Sequence, residues 1–120
     1  MILRRRHWLL AATVALVSIT GGLGCLAPTL PVPPPSQPEV IGPDATGIVT
    51  LKGAPGSARA NAEVAVWNPN LNGGKGDGKF TIAAPDGSWS ETIPGKSKEI
   101  LWVWQTVGFE RSDHIEVRIP

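Results

Sequence analysis

From Gly47 to Ile119 no stretch of the chain holds an apolar period of 3.6 over three turns, which removes helical architectures at the outset. Short runs of β-branched, aromatic and alternating residues stand there instead, separated by Gly, Pro, Asn and Asp. They predict six strands: Gly47–Lys52, Ala62–Trp67, Lys79–Ala84, Ser88–Ile93, Glu99–Thr106 and Asp113–Ile119. The breaks carry turn chemistry: Gly53-Ala54-Pro55-Gly56, Asn68-Pro69-Asn70, Asp86-Gly87, Pro94-Gly95 and Gly108. Pro85-Asp86-Gly87 is the strongest hairpin signal. Six short strands at this spacing argue for an all-β fold, a small β-sandwich or open barrel.

Alternation assigns faces. Val49 and Leu51, Val64 and Val66, Phe80 and Ile82, Trp89 and Ile93, Leu101 and Val103, and Ile115, Val117 and Ile119 are expected to point inward. Burying one such side chain contributes about 1.5–3 kcal/mol. The core is thin and the single cysteine cannot cross-link it, so modest stability is expected.

Gly47-Ile48-Val49-Thr50-Leu51, Gly53-Ala54-Pro55-Gly56 and Ala62-Glu63-Val64-Ala65-Val66-Trp67-Asn68 look like the opening strands of bacterial immunoglobulin-like domains. Asp86-Gly87-Ser88-Trp89-Ser90 with Ile93-Pro94-Gly95 is similar to their Asp-Gly-Ser-aromatic hairpin, and Gly108, Ser112 and Ile115-Glu116-Val117 to their closing corner and strand. The resemblance spans nearly all of 46–120 and implies a small immunoglobulin-like β-sandwich of six to seven strands. Carboxypeptidase regulatory-like domains share the Asp-Gly-aromatic hairpin and are the second match. Both families are mainly extracellular spacer, adhesion or display modules, and fold alone licenses no function.

Ahead of this domain, Arg4, Arg5 and Arg6 precede an uncharged run from Trp8 to Thr20 and then Gly21-Gly22-Leu23-Gly24, the order of an export signal helix. Its end on Cys25 resembles the lipobox of bacterial lipoproteins, whose cysteine becomes the acylated new N-terminus. Gly24 fits that pattern; Gly22 stands where Leu is usual. The resemblance implies a signal peptide over 1–24 and lipidation, with palmitate-type chains, at Cys25. Three other readings of the same residues are an uncleaved span over Trp8–Leu26, a plain secretory signal, and a twin-arginine signal at Arg5-Arg6-His7-Trp8-Leu9-Leu10. All of them put the residues after 25 outside the cytoplasm, because the arginines stay inside. Acylation gives a lone cysteine in an oxidising compartment a role that no intrachain disulfide can. Two or more acyl chains hold a protein permanently at a membrane, each buried methylene contributing about 0.8 kcal/mol. The expected location is the cell envelope, and lipoprotein sorting patterns imply the outer membrane where the cell has two, since Leu26 and not Asp follows the cysteine.

Residues 25–45 read as the acylated cysteine and a proline-rich linker, with the domain at 46–120. Seven of the sixteen residues from Pro28 to Pro43 are proline, which predicts an extended spacer. At about 3.1 Å per residue it would lift the domain roughly 50 Å from its anchor. Of eleven basic and ten acidic residues, three arginines leave with the signal, so eight basic residues face ten acidic ones. Without a basic patch, nucleic acid is not an expected partner.

The candidate binding residues are Trp67, Trp102 and Trp104. If Val64, Val66, Leu101 and Val103 face in, these three indoles face out, from strands that share a sheet in immunoglobulin-like topology. An aromatic platform of that kind suits a glycan such as peptidoglycan, or a protein partner in the envelope. In the alternative register Ile100, Trp102 and Trp104 pack inside. Gln105 favours this register, since the first one buries its amide.

Asn68-Pro69-Asn70-Leu71-Asn72-Gly73 resembles the first half of an EF-hand loop, but Lys79 occupies the position that needs a bidentate carboxylate. The following Gly73-Gly74-Lys75-Gly76-Asp77-Gly78 reads as a mobile turn. His114 is the only histidine after the signal, and its neighbours Ser112 and Asp113 are adjacent in sequence without converging. The reading is of a non-enzymatic module with no metal and no cofactor.

Overall fold

The protein is described from a computed structural model over residues 30–120, whose compact unit runs from Pro31 to Pro120. Cys25 and the signal lie outside the described residues. Eight strands follow in order: β1 Glu39–Ile41, β2 Ile48–Gly53, β3 Glu63–Asn68, β4 Asp77–Ile82, β5 Trp89–Pro94, β6 Ile100–Val107, β7 Glu110–Arg111 and β8 Ile115–Arg118. They form two antiparallel sheets, one ordered β1-β2-β5 and the other β4-β3-β6, with β7 and β8 both paired to β6.

All six predicted strands are present, their ends within two residues of expectation. Both β7 and β8 pair with β6, so they behave as one strand interrupted at Ser112–His114. Ser112 mends the interruption: its N–H donates to the Gln105 carbonyl at 2.8 Å, and its hydroxyl accepts the Gln105 N–H at 3.0 Å.

The core lies between the sheets. Val49, Leu51, Val64, Val66, Trp89, Ile93, Leu101, Val103, Val117 and Ile119 are buried in one cluster, with Ile115 packed at its margin. Alternation names these inward residues correctly. Trp89 lies flat against Gly53, where a Cβ would overlap the indole, and its Nε1 donates to Ser57 Oγ at 3.0 Å.

Three expectations change. The Pro85-Asp86-Gly87 turn forms, with Gly87 N–H donating to Ala84 O at 2.8 Å, but β4 and β5 enter different sheets. The turn is an arch between layers and not a hairpin. Phe80 and Ile82 point outward, 64% and 58% exposed, because the β3–β4 register sets them opposite Ala65 and Glu63 on the outer face.

The proline-rich stretch is not a free spacer up to residue 45. Pro35 is fully buried, Ser36 N–H donates to Ser57 O at 3.0 Å, and β1 pairs with β2 from Glu39 onward. Prolines suit this seat because the segment ahead of β1 lies in no strand ladder, so their missing N–H leaves no ladder bond unmade.

Loops gather at two poles. The β2–β3 loop, the 84–88 arch and the β6–β7 hairpin share one of them: Gly56 N–H donates to Asp86 O at 2.7 Å, and Glu63 at the start of β3 pairs with Thr106 near the end of β6. The other pole holds the β3–β4 loop, with its 3-10 turn Asn72–Gly74, and the β5–β6 loop.

Candidate functional site

The outer face of the larger sheet follows from register. β3 presents Glu63, Ala65 and Trp67, and β6 presents Trp102, Trp104 and Thr106 directly opposite them, Trp67 facing Trp102 and Ala65 facing Trp104. On the other side of β3, β4 adds Gly78 opposite Trp67, Phe80 opposite Ala65 and Ile82 opposite Glu63. Beyond β6, Arg111 stands opposite Thr106 and Glu116 opposite Trp102. Apolar side chains therefore run across three adjacent strands, with charged ones along the β7/β8 margin.

All three indoles named from sequence lie together on this face, and each is half-buried. The first register holds, and Gln105 is buried with its needs met. Its Nε2 donates to Pro33 O at 2.7 Å and its Oε1 accepts the Arg59 N–H at 2.8 Å. A buried amide with both ends bonded is compatible with the core.

Each indole is held by a different neighbour. The Trp67 ring lies over the backbone of Gly76 and Gly78, where a Cβ would collide with it. The glycines of the β3–β4 connection thus make a floor for an aromatic ring. The Arg111 guanidinium carbon sits 4.1 Å from the centre of the Trp104 ring, a cation–π contact. His114 stacks on Trp102 with ring centres 4.5 Å apart and planes 21° off parallel. Trp67, Trp102, Trp104 and Arg111 line a shallow hollow of about 400 Å³. A smaller one of about 210 Å³ lies between Trp67, Trp104 and Phe80, over Ala65.

Sequence reasoning missed four members of this face. Phe80 and Ile82 follow the alternation of β4, whose direction was inverted. Arg111 lies in a strand that the sequence does not predict, and His114 is exposed but carries no sequence sign of its stacking on Trp102.

The remaining candidates are structural. Asn68 is fully buried, donating from Nδ2 to Pro94 O at 3.0 Å and to Glu99 Oε1 at 3.2 Å. Its Oδ1 accepts from Asn70 N at 2.9 Å and Asn70 Nδ2 at 3.1 Å. The residue that opens the calcium-like motif thus latches two loops together. Ser112 Oγ donates to Asp113 O at 2.7 Å while accepting from Gln105, so the hydroxyl serves the strand break.

No family model and no curated protein matches the sequence. Among solved structures, the fibronectin type III domain of human collagen alpha-1(XX) chain is similar, with a TM-score of 0.50 and 14% identity over 78% of this chain and 92% of that one. The likeness is one of fold. The domain is a small immunoglobulin-like β-sandwich. Within this sandwich the aromatic face belongs to the five-stranded β4-β3-β6-β7/β8 sheet, and the β1-β2-β5 sheet carries no comparable patch among its described residues.

Proposed function

We propose that the protein is an exported, lipid-anchored module of the cell envelope that docks a protein partner on the outer face of its larger sheet and catalyses no reaction. The observation that carries this reading is the inversion of β4. Its only large apolar residues, Phe80 and Ile82, face outward beside three tryptophans, while Lys79 and Thr81 take the opposite side. Soluble domains rarely expose a contiguous apolar patch without a binding role. Aromatic side chains flanked by arginine have the composition of protein contact hot spots. The lipobox-like ending on Cys25 supports anchoring, and an immunoglobulin-like sandwich is a common scaffold for display.

The test is photo-crosslinking in intact cells, with a photoreactive residue at position 80 or, as control, at Ser90 on the smaller sheet. The reading expects a discrete adduct from 80 that is absent from 90. Identical patterns from both positions would count against a docking face.

A second reading is favoured by the hollow over Trp67, Trp102, Trp104 and Arg111. Its flat, partly buried indoles suit the apolar face of a sugar ring. Retention of the protein on envelope glycans, lost in Trp102→Ala but kept in Phe80→Ser, would select this reading over protein docking.

A further inference from the structure

We propose that Phe109 inserts into the surface of the membrane that carries the anchor, so that the domain rests on the bilayer by the pole holding the β6–β7 hairpin. This rests on the lipid-anchored reading above.

The first observation is where the proline stretch is fixed. Gln105 holds Pro33 by its carbonyl at 2.7 Å, and Ser57 holds Ser36 beside it. Pro33 lies only eight positions after Cys25. A chain of that length reaches at most about 29 Å when fully extended. The eight residues of β6 already span about 27 Å. The tether thus reaches about as far as one strand of the sandwich is long, and Pro33, where it joins the domain, is bonded near the end of β6.

The second observation is what that end presents. Past Gln105, the pairs Thr106↔Arg111 and Val107↔Glu110 carry the hairpin outward to Gly108 and Phe109. Gly108 has φ +64°, the left-handed conformation of a tight tip, and Phe109 is fully exposed. Ile82, at the end of β4, is the other large exposed apolar residue in this end row, opposite Glu63. Charges at this pole are mixed: Arg59 and Arg111 stand against Glu63, Asp86 and Glu110. No single-sign field draws the pole to a headgroup layer or holds it off, so the contact is apolar.

One phenylalanine is too little to hold a free domain on a membrane. On a short tether the effective concentration is in the millimolar range, and a contact that is weak between separate molecules becomes populated. A large apolar side chain next to a lipid anchor supplies the second signal that stable membrane seating uses. Seated this way, the sandwich stands with its strands along the membrane normal and its tryptophan face turned sideways, accessible to a partner.

The experiment uses the mature, acylated protein in vesicles of phosphatidylethanolamine and phosphatidylglycerol, its mass confirmed before use. An environment-sensitive fluorophore is attached at Phe109→Cys, or at Ser97→Cys on the opposite pole. The expected result is blue-shifted emission at 109 and quenching by spin-labelled lipid several-fold stronger than at 97, both unchanged by high salt. With the probe moved to Pro55→Cys on the adjoining loop and Phe109 intact, lipid quenching is also expected, and adding Phe109→Ser abolishes it. Acylated protein whose 109 and 97 probes read the same solvent overturns the insertion, as does quenching that salt removes. A chain without acyl mass overturns the anchored reading itself and the insertion with it, a distinct result from acylated protein with a water-exposed tip.

Discussion

Gln105 donates its side-chain amide to the carbonyl oxygen of Pro33, 72 positions earlier in the chain, at 2.7 Å. The same side chain accepts the Arg59 N–H at 2.8 Å. One buried residue of β6 thus ties the incoming proline segment and the β2–β3 loop to the larger sheet. It lets Trp104 and Thr106 on either side face outward while the position between them points to the core.

Replacing Gln105 with Leu keeps the volume and removes both bonds, leaving the Pro33 carbonyl and the Arg59 N–H unpartnered. A loss of about 2–4 kcal/mol is expected, read by denaturant unfolding. Proteolysis near Pro33 should accelerate in the same variant, because the segment loses its main polar hold.

Asn68→Asp places a carboxylate where a fully buried amide now donates to Glu99 Oε1 at 3.2 Å. The donor is lost and two acidic groups meet. Destabilisation of about 3–5 kcal/mol is expected at neutral pH, and Asn68→Asp with Glu99→Gln should recover part of it. A thermal melt of the three proteins checks the order.

Gly76→Ala strikes the aromatic face from below. Gly76 has φ +88°, and an added Cβ would run into the Trp67 ring. The expected cost is about 1–3 kcal/mol, together with a red-shifted tryptophan emission as the indole is pushed toward water. Gly74→Ala also has positive φ, +92°, but meets nothing; it should cost stability without the emission change.

Two aspartates give the domain a defined acid response. The Asp44 carboxylate accepts from Thr46 Oγ at 2.7 Å, Ile48 N at 3.0 Å and Thr46 N at 2.8 Å, and these bonds hold it below the ordinary value of 3.8. Asp86 is lowered in the same way by the Ser88 hydroxyl at 2.7 Å and the Ser88 N–H at 2.9 Å. Both groups bind protons less readily folded than unfolded. Their contribution is therefore whole above about pH 4 and is lost as pH falls through the lowered folded values. The stability gap between the wild type and Asp44→Asn/Asp86→Asn should be open at neutral pH and close below about pH 4.

Strand positions and most of the core were legible because alternation and turn residues are local properties. β2, β3, β5 and β6 each carry at least two apolar residues on the covered side, so their faces read directly. β4 carries only Phe80 and Ile82, and alternation says they share a face without saying which one is covered. The register against β3 decides it, and register is a tertiary property. The Pro85-Asp86-Gly87 turn was likewise legible as a turn, but an arch and a hairpin begin with the same residues. For the proline stretch, composition reported backbone stiffness and was silent on packing. Its one pointer lay in β6: Gln105 facing the core needed a partner, and that partner was Pro33. The tryptophans were found from sequence because their strands were read correctly; Arg111 and His114, stacked on two of them, leave no such pattern.

The intact mass of the protein extracted from cell membranes tests the account most directly. A chain beginning at Cys25, heavier than its residues by two or three acyl groups, is the predicted result. A full-length polypeptide starting at Met1 with a free Cys25 thiol, recovered from the soluble cytosolic fraction, would contradict it.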